Sequence, residues 1–164
     1  VITLLILAIT LAQPVAAQSF KPDYEVGDAA YDRKDYATAL KHLRPLAEQG
    51  HARAQYRLGD IYSGGWGVTE DDAEAVRWFR KAAEQGDAGA QWWLGEMYSD
   101  GEGVVQDLVM SYVWFNVAAA NGHGSAKPFR DKALESLNKS EAIKAQDLSK
   151  LCHEKPAKCP LHSE

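Results

Sequence analysis

The chain has 164 residues, of which 46% are hydrophobic and 25% are charged, a composition that favours one globular domain and argues against disorder. The formal net charge is -5 and Lys and Arg are not clustered, which excludes nucleic acid as a partner because phosphate neutralisation requires a basic surface. The sequence also contains no basic amphipathic helix of the kind that binds an anionic membrane.

The first residues differ in character from the rest of the chain. Residues 1–12 (VITLLILAITLA) are apolar and uncharged, and small residues (VAA) follow at 15–17, which is the pattern of a secretory signal peptide. The apolar run is too short for a helix to span a bilayer. We therefore expect residues 1–17 to be a signal peptide cut after Ala17, and the mature chain to be periplasmic or secreted with no stable membrane insertion. An uncleaved anchor and a buried helix are the alternative interpretations.

Residues 18–34 form the N-terminal segment of the expected mature chain. Within it, residues 22–33 (PDYEVGDAAYDR) predict a helix. Pro22 would lie near its first turn, where no intrahelical hydrogen bond needs the backbone N–H that proline lacks. This helix precedes the first unit of an internal repeat.

Three consecutive segments, residues 35–70, 71–106 and 107–142, repeat one pattern with a period of 36 and no gaps. Each segment begins with an Asp that can cap a helix, and later has a Gly that can adopt the left-handed conformation at a helix end. The aligned residues are Asp35, Asp71 and Asp107, and Gly50, Gly86 and Gly122. Each segment is therefore predicted to hold two helices, one on each side of its Gly.

Small and large residues share one face of the second helix of each unit. In the first unit Ala54, Leu58 and Tyr62 are four residues apart and lie on the same face. Gly59 and its counterpart Gly95 fall inside these helices, where Gly lowers stability by roughly 1 kcal/mol relative to Ala. Their recurrence at one repeat position predicts that a neighbouring helix approaches closely there.

The third unit keeps the pattern only in its first half. Residues 126–137 are predicted to form its second helix, but Arg130 and Asp131 stand where the earlier units carry Leu and Gly. Such a departure is typical of the terminal unit of a repeat array, whose outer face meets solvent.

Residues 143–164 are predicted to comprise a C-terminal capping helix and a tail. Asn138 and Glu141 have the spacing of a capping box, so the final helix is expected over residues 142–152. The chain thus contains about eight predicted helices, and we expect an all-α solenoid, an α/α superhelix of antiparallel helices with atypical ends.

The tail (CHEKPAKC) carries both cysteines of the chain, Cys152 and Cys159. In an exported protein this pair predicts a local disulfide. A metal site that adds His153 and His162 is the alternative, although the spacing matches no common zinc pattern. We expect no metal.

The strings AEQGHARAQYRLGDIYSGGWGV and AVRWFRKAAEQGDAGAQWWLGEMYSDGEGV resemble the Sel1-like repeat family, which is related to the tetratricopeptide repeats. The elements AEQG, AQxxLGxxY and GxGV recur in order, and the resemblance is strong over residues 35–125. It implies a right-handed superhelix that acts as a scaffold or adaptor for a protein or peptide partner in the cell envelope. One secreted branch of the family, linked to cell-wall-like ligands, carries paired cysteines in each repeat, which this chain does not.

No grouping of residues indicates catalysis. The Gly-rich loops lack the Lys of a phosphate-binding loop, and no Ser or Cys lies in a nucleophile elbow. We therefore expect a protein that is not an enzyme, uses no cofactor and is a monomer. A periplasmic binder of peptidoglycan fragments, or a hydrolase of the cell wall, is the alternative function.

Aromatic and Arg residues at variable repeat positions are the candidates for binding a partner. Trp93 takes the place of Arg57, and Trp66 the place of an acidic residue, so these positions are expected to be exposed. Trp and Arg are frequent anchors at interfaces. The candidate binding residues are Trp93, Arg57, Trp66, Arg53 and Arg77. Incidental surface residues are the alternative, whereas Trp78 and Trp114 share one repeat position and are expected in the core.

Overall fold

The computed structural model describes residues 20–160, so the expected signal peptide, residues 1–17, and the last four residues lie outside the described part of the chain. Within that part, eight α-helices pack in sequence as antiparallel pairs, which confirms the all-α prediction. They are α1 (Tyr24–Asp32), α2 (Tyr36–Glu48), α3 (Ala52–Ser63), α4 (Asp72–Glu84), α5 (Ala88–Asp100), α6 (Leu108–Ala120), α7 (Ala126–Glu135) and α8 (Lys139–Glu154). None of these helices is long and apolar enough to cross a membrane.

The ends of α2, α4 and α6 lie where the repeat predicts them. Each helix is capped by an Asp whose carboxylate accepts a hydrogen bond from the backbone N–H three residues later. Beyond the other end of each helix, a Gly adopts a positive φ of 96°, 91° and 90° in turn. The caps are Asp35, Asp71 and Asp107, and the glycines are Gly50, Gly86 and Gly122.

Two helices begin at different residues from those predicted, and capping explains both differences. α1 begins after Asp23 and not at Pro22, because the Asp23 carboxylate accepts a backbone hydrogen bond at the start of the helix. α8 begins at Lys139, because the predicted capping box of Asn138 and Glu141 forms directly before it.

A glycine inside α3 and another inside α5 let the following helix approach closely, as predicted. An ideal Cβ atom at Gly59 would lie 2.6 Å from the ring of Phe79, and one at Gly95 would lie 2.6 Å from the ring of Phe115. No side chain larger than hydrogen fits at these separations unless the ring moves. The pairs α3–α4 and α5–α6 are therefore held by the same contact, one repeat apart.

α1 and α2 form a further pair of the same kind. An ideal Cβ atom at Gly27 would lie 2.8 Å from the side chain of Leu43. Gly27 precedes Leu43 by 16 residues, whereas Gly59 precedes Phe79 by 20, and the connection between the helices is correspondingly shorter in α1–α2. The array therefore begins one helix earlier than the 36-residue period alone indicates.

The C-terminal helix departs from the repeat. α8 packs mainly against α6, and its last turn carries Cys152, which forms the predicted disulfide with Cys159. Both cysteines are buried against α4, α5 and α6, and Arg80 of α4 donates a hydrogen bond to the carbonyl of Cys159. The disulfide also removes the two thiolates that the alternative metal site would need.

Trp78 and Trp114 lie in the core, as their shared repeat position predicts. Trp78 is 8% exposed and packs in the cluster of buried residues that lies between α2 and α3. Trp114 is fully buried in the cluster formed by α4, α5 and α6. The core thus extends along the array as successive apolar layers between neighbouring helices.

Candidate functional site

A shallow groove lies where α1, α3 and the start of α5 meet. It has a volume of about 340 Å³, which is at the small end of the usual range for ligand sites. Its lining residues are Tyr24, Asp28, Arg53, Tyr56, Arg57, Asp87 and Gly89. We call it the α1–α3–α5 groove, and its walls combine charge, hydrogen-bonding groups and aromatic surface.

Arg57 of α3 occupies the middle of this groove and is tied to α1. Its Nε atom donates a hydrogen bond of 2.6 Å to Asp28, and its Nη2 atom lies 3.6 Å from Asp32. Burial tends to lower the pKa of Arg57, but the hydrogen bond and charge of Asp28 outweigh burial and hold the pKa above its ordinary value. Arg57 therefore stays charged and acts first as a clamp between α1 and α3.

A second polar contact joins the same two helices. The hydroxyl of Tyr31 donates a hydrogen bond to the carboxylate of Asp60, and the Arg57 guanidinium lies 4.3 Å from the centre of the Tyr31 ring. Burial raises the pKa of Tyr31, and its hydrogen bond to Asp60 raises it further. Burial also raises the pKa of Asp60, against the opposing effects of Tyr31 and Arg57. These contacts fix the side chains of the groove before any partner arrives.

An aromatic residue recurs three positions before each close-packed glycine. These residues are Tyr24, Tyr56 and Trp92. In the first and third copies the ring stacks on a histidine just before the next helix pair, His51 at 4.7 Å and His123 at 5.5 Å between ring centres. In the second copy Asp87 takes the place of the histidine, which leaves the ring of Tyr56 beside Gly89 in the groove.

Three of the five predicted binding residues lie in or beside the groove. Arg53 is exposed, as expected of a binding residue, and has no ion-pair partner among residues 20–160. Arg57 and Trp93 are only partly exposed, so the expectation that this repeat position is exposed is wrong. Arg57 is paired with Asp28, and the ring of Trp93 stacks on Phe79 at 5.8 Å. Trp93 and Tyr56 pack against the same buried apolar cluster, but Trp93 does not line the groove.

The other two predicted residues lie elsewhere and do not line the groove. Trp66 is in the loop between α3 and α4, where it is 36% exposed and stacks on Tyr36 at 5.6 Å. Arg77 is exposed on α4 and forms an ion pair of 2.8 Å with Glu74. The five candidates therefore do not form one continuous surface.

Several groove residues were not predicted from the sequence, among them the aromatic residues Tyr24 and Tyr56. Their shared position, three residues before Gly27 and Gly59, is a signal that could have found them. That signal requires α1 to be aligned with α3, and the shorter connection after α1 hides the alignment.

Most charged groups of the groove already contact neighbouring groups of the protein. Arg57 and Asp28 neutralise each other, and the carboxylate of Asp87 caps α5 through the N–H of Ala90. Arg53 is therefore the cation of the groove that has no ion-pair partner among residues 20–160. Among residues 20–160, no cluster of three or more His, Cys, Asp or Glu residues is placed to hold a metal ion.

Comparison with known families finds one match to the repeat. A family model described as the Sel1 repeat matches residues 24–51, 52–87 and 88–123. Each matched segment contains one helix pair, which places the repeat boundaries between α2 and α3 and between α4 and α5. No curated protein matches the chain significantly.

Solved structures with a similar fold include two bacterial proteins. One is a protective antigen present in uropathogenic Escherichia coli strains, described as displaying an SLR fold, with 32% identity and a TM-score of 0.77 over 80% of this chain. Another is a Sel1 repeat protein from Oxalobacter formigenes, with 31% identity and a TM-score of 0.67 over 80% of this chain. The chain spans 29% of the first protein and 56% of the second.

Proposed function

Because this chain belongs to the Sel1 repeat family, we propose that it is a non-catalytic scaffold that binds a protein partner through the α1–α3–α5 groove. Helical repeats of this kind generally mediate protein binding, and their stacked helices present an extended surface. The partner contributes a short segment with an acidic side chain or a C-terminal carboxylate.

The observation that carries the proposal is the unpaired, exposed Arg53 between aromatic side chains. A guanidinium recognises a carboxylate through two parallel hydrogen bonds, and Tyr24 and Tyr56 supply rigid contact area beside it. Arg57 and Trp93 are already fixed by their own neighbours, so little side-chain freedom is lost when a partner binds. The groove therefore matches a small, pre-organised interface.

The disulfide supports a location outside the reducing cytosol. Disulfides such as Cys152–Cys159 persist in oxidising compartments, which include the periplasm and the extracellular space. We propose that the protein works there, in the cell envelope or as a secreted scaffold.

A capture experiment with matched variants tests the function. Tagged wild type, Arg53→Glu and Arg77→Glu are each incubated with envelope extract and cross-linked, and the bound proteins are identified by mass spectrometry. Arg77 is also exposed but lies on α4 away from the groove, so it serves as the control. We expect one specific partner to bind wild type and Arg77→Glu, and to be lost from Arg53→Glu.

Two results would contradict the proposal. Equal recovery of the partner by Arg53→Glu would place the interface outside the groove. Recovery of no specific protein, combined with thermal stabilisation by muropeptides, would favour the alternative function in cell-wall binding.

A further inference from the structure

A second cavity, of about 190 Å³, lies between α5, α6 and α7. It is separate from the α1–α3–α5 groove and shares no lining residue with it. Its polar wall includes Glu96, Asp100, Ser111 and Lys132, and its apolar wall includes Phe115 and Phe129.

One substitution in the third repeat unit opens this cavity, and a second gives it a polar group. Ala133 lies one period after Met97 and two periods after Ile61, which are both large and buried. Replacing such a side chain by Ala leaves space that the surrounding helices fill only in part. The degenerate unit has therefore opened a cavity at a place that its two predecessors fill.

The second substitution adds a polar group to that space. Ser111 lies one period after Ala75 and two periods after Ala39, and all three residues are fully buried. The Ser111 hydroxyl has no hydrogen-bond partner within residues 20–160, the part of the chain that the structure describes. Buried polar groups without a partner are rare in native proteins, because desolvation is then left uncompensated. The hydroxyl that lines the cavity is thus available to a ligand.

The charges around the cavity favour a cation. Glu96 and Asp100 are one helical turn apart on α5, and Lys132 contributes one positive charge from α7. Burial raises the pKa of Glu96, the nearby charge of Asp100 raises it further, and Lys132 opposes both. With both carboxylates ionised the local net charge is negative, so a bound cation relieves their repulsion.

The size and the apolar wall limit the ligand further. The cavity is smaller than the range of about 300 to 1,000 Å³ that is usual for drug-sized ligands. The rings of Phe115 and Phe129 lie 5.5 Å apart, centre to centre, and offer apolar and π surface. A short aliphatic chain that ends in a positive charge can contact the apolar wall with its methylene groups and the polar wall with its charged end.

We propose that this cavity binds a primary alkylammonium group. The ammonium is held by the carboxylates of Glu96 and Asp100 and the hydroxyl of Ser111, and the alkyl chain packs on the two phenylalanine rings. The group can come from a free small amine or from a lysine side chain of another protein.

Calorimetric titration of the purified chain tests the proposal with three probes of similar size. They are n-butylammonium, neutral n-butanol and anionic butyrate. We expect butylammonium to bind at least about tenfold more tightly than butanol, because a hydrogen bond to a charged group is stronger than one between neutral groups. Butyrate is expected not to bind.

Variants locate the binding. Glu96→Gln and Ser111→Ala should each weaken butylammonium binding, Glu96→Gln by about tenfold, since it removes a charge. Ala133→Met restores the side chain of the preceding unit and should abolish binding by filling the cavity. Glu135→Gln, at an exposed position of α7 outside the cavity, should leave binding unchanged.

Thermal unfolding shows whether each variant folds. Ser111→Ala is expected to fold, because it restores the residue of the other two units.

The lysine derivative N-acetyl-lysine methylamide distinguishes a protein lysine from a free small amine as the source of the ammonium group. Binding of both probes makes a protein lysine an eligible ligand, whereas binding of butylammonium alone restricts the site to free amines. Equal affinity for butylammonium and butanol, or unchanged binding by folded Ala133→Met, would overturn the proposal.

Discussion

In α3–α4 and α5–α6 a phenylalanine ring lies against a helical glycine, whereas α7 carries Asp131 at the corresponding position. The glycine contact brings two helix axes close together and repeats from one unit to the next. At α7 no such contact is possible, and the residue before Asp131, Arg130, forms an ion pair with it at the surface. The C-terminal end is closed instead by α8, which folds back onto α6, and by a disulfide.

The difference shows how the packing changes between the regular units and the C-terminal helices. Regular units need a partner on both sides, because each buries its apolar face only when a neighbour covers it. The third unit carries Arg130 and Asp131 where the preceding unit has Leu94 and Gly95, and α8 with its disulfide packs beside it in place of a regular helix pair. We therefore expect the regular units to be sensitive to side-chain volume and the C-terminal end to be sensitive to reduction.

The largest effect is expected from Gly95→Leu. A side chain at this position collides with the ring of Phe115, and overpacking of this kind costs about 3 kcal/mol. Asp131→Leu places the same side chain at the equivalent, exposed position of α7 and should change stability by about 0.5 kcal/mol or less. Urea unfolding followed by circular dichroism measures both. Equal effects at the two positions would show that α7 is packed like α5.

Removing the disulfide by Cys152→Ser with Cys159→Ser should have the next largest effect. Closing a short loop of this kind contributes about 2 kcal/mol, mainly by restricting the unfolded chain. The loss should be local, since the link joins α8 only to the tail that packs on α4. Hydrogen exchange should therefore speed up in α8 while α3 keeps its protection. Uniform loss of protection across the array would contradict this separation of the two regions.

A smaller effect is expected at the N-terminal end, where α1 is joined to α3 by Arg57. Arg57→Ala leaves Asp28 without its partner, and we expect a loss of about 1 kcal/mol because the pair is partly exposed. Arg77→Ala removes a more exposed ion pair and should be close to neutral. Thermal unfolding of the two variants checks the difference. A neutral Arg57→Ala would mean that packing alone holds α1 in place.

The smallest effect concerns the dependence of stability on pH. It compares Asp60, in a regular unit, with Glu96, in the wall of the cavity. The pKa values of Asp60 and Glu96 are raised above 3.8 and 4.5 by burial. The folded protein therefore keeps these protons to higher pH than the unfolded chain does, and the free energy of unfolding falls as pH rises through the raised values. Asp60→Asn and Glu96→Gln should each flatten the dependence of the urea midpoint on pH above about pH 4. The exposed Asp131→Asn is the control, and a steeper profile in either test variant would contradict the assignment.

Local chemistry made most of the fold predictable. An Asp at a helix start and a Gly at a helix end act within a few residues, so three helices could be bounded from the repeated spacing alone. The position of α8 could not be predicted, because its packing on α6 depends on contacts between distant segments. The membership of α1 in the array was hidden because the spacing from Gly27 to Leu43 is four residues shorter than that from Gly59 to Phe79.

The candidate site was predictable only in part, for a related reason. Substitution of Arg57 by Trp93 in the next unit indicated an exposed position, since Arg is usually at the surface. Asp28, which lies 29 residues before Arg57, makes a partly buried Arg favourable there. A single sequence does not show such a partner, because it lies in the unit that the period failed to reveal.

The connection between α1 and α2 has a practical consequence for protein engineering. It comprises only residues 33–35, against residues 64–71 and 101–107 in the later pairs, yet the contact of Gly27 with Leu43 is retained. Loop length and helix register are therefore independent in this array. The turns between paired helices are accordingly suitable sites for grafting epitopes or reporter peptides without redesigning the helices that carry them.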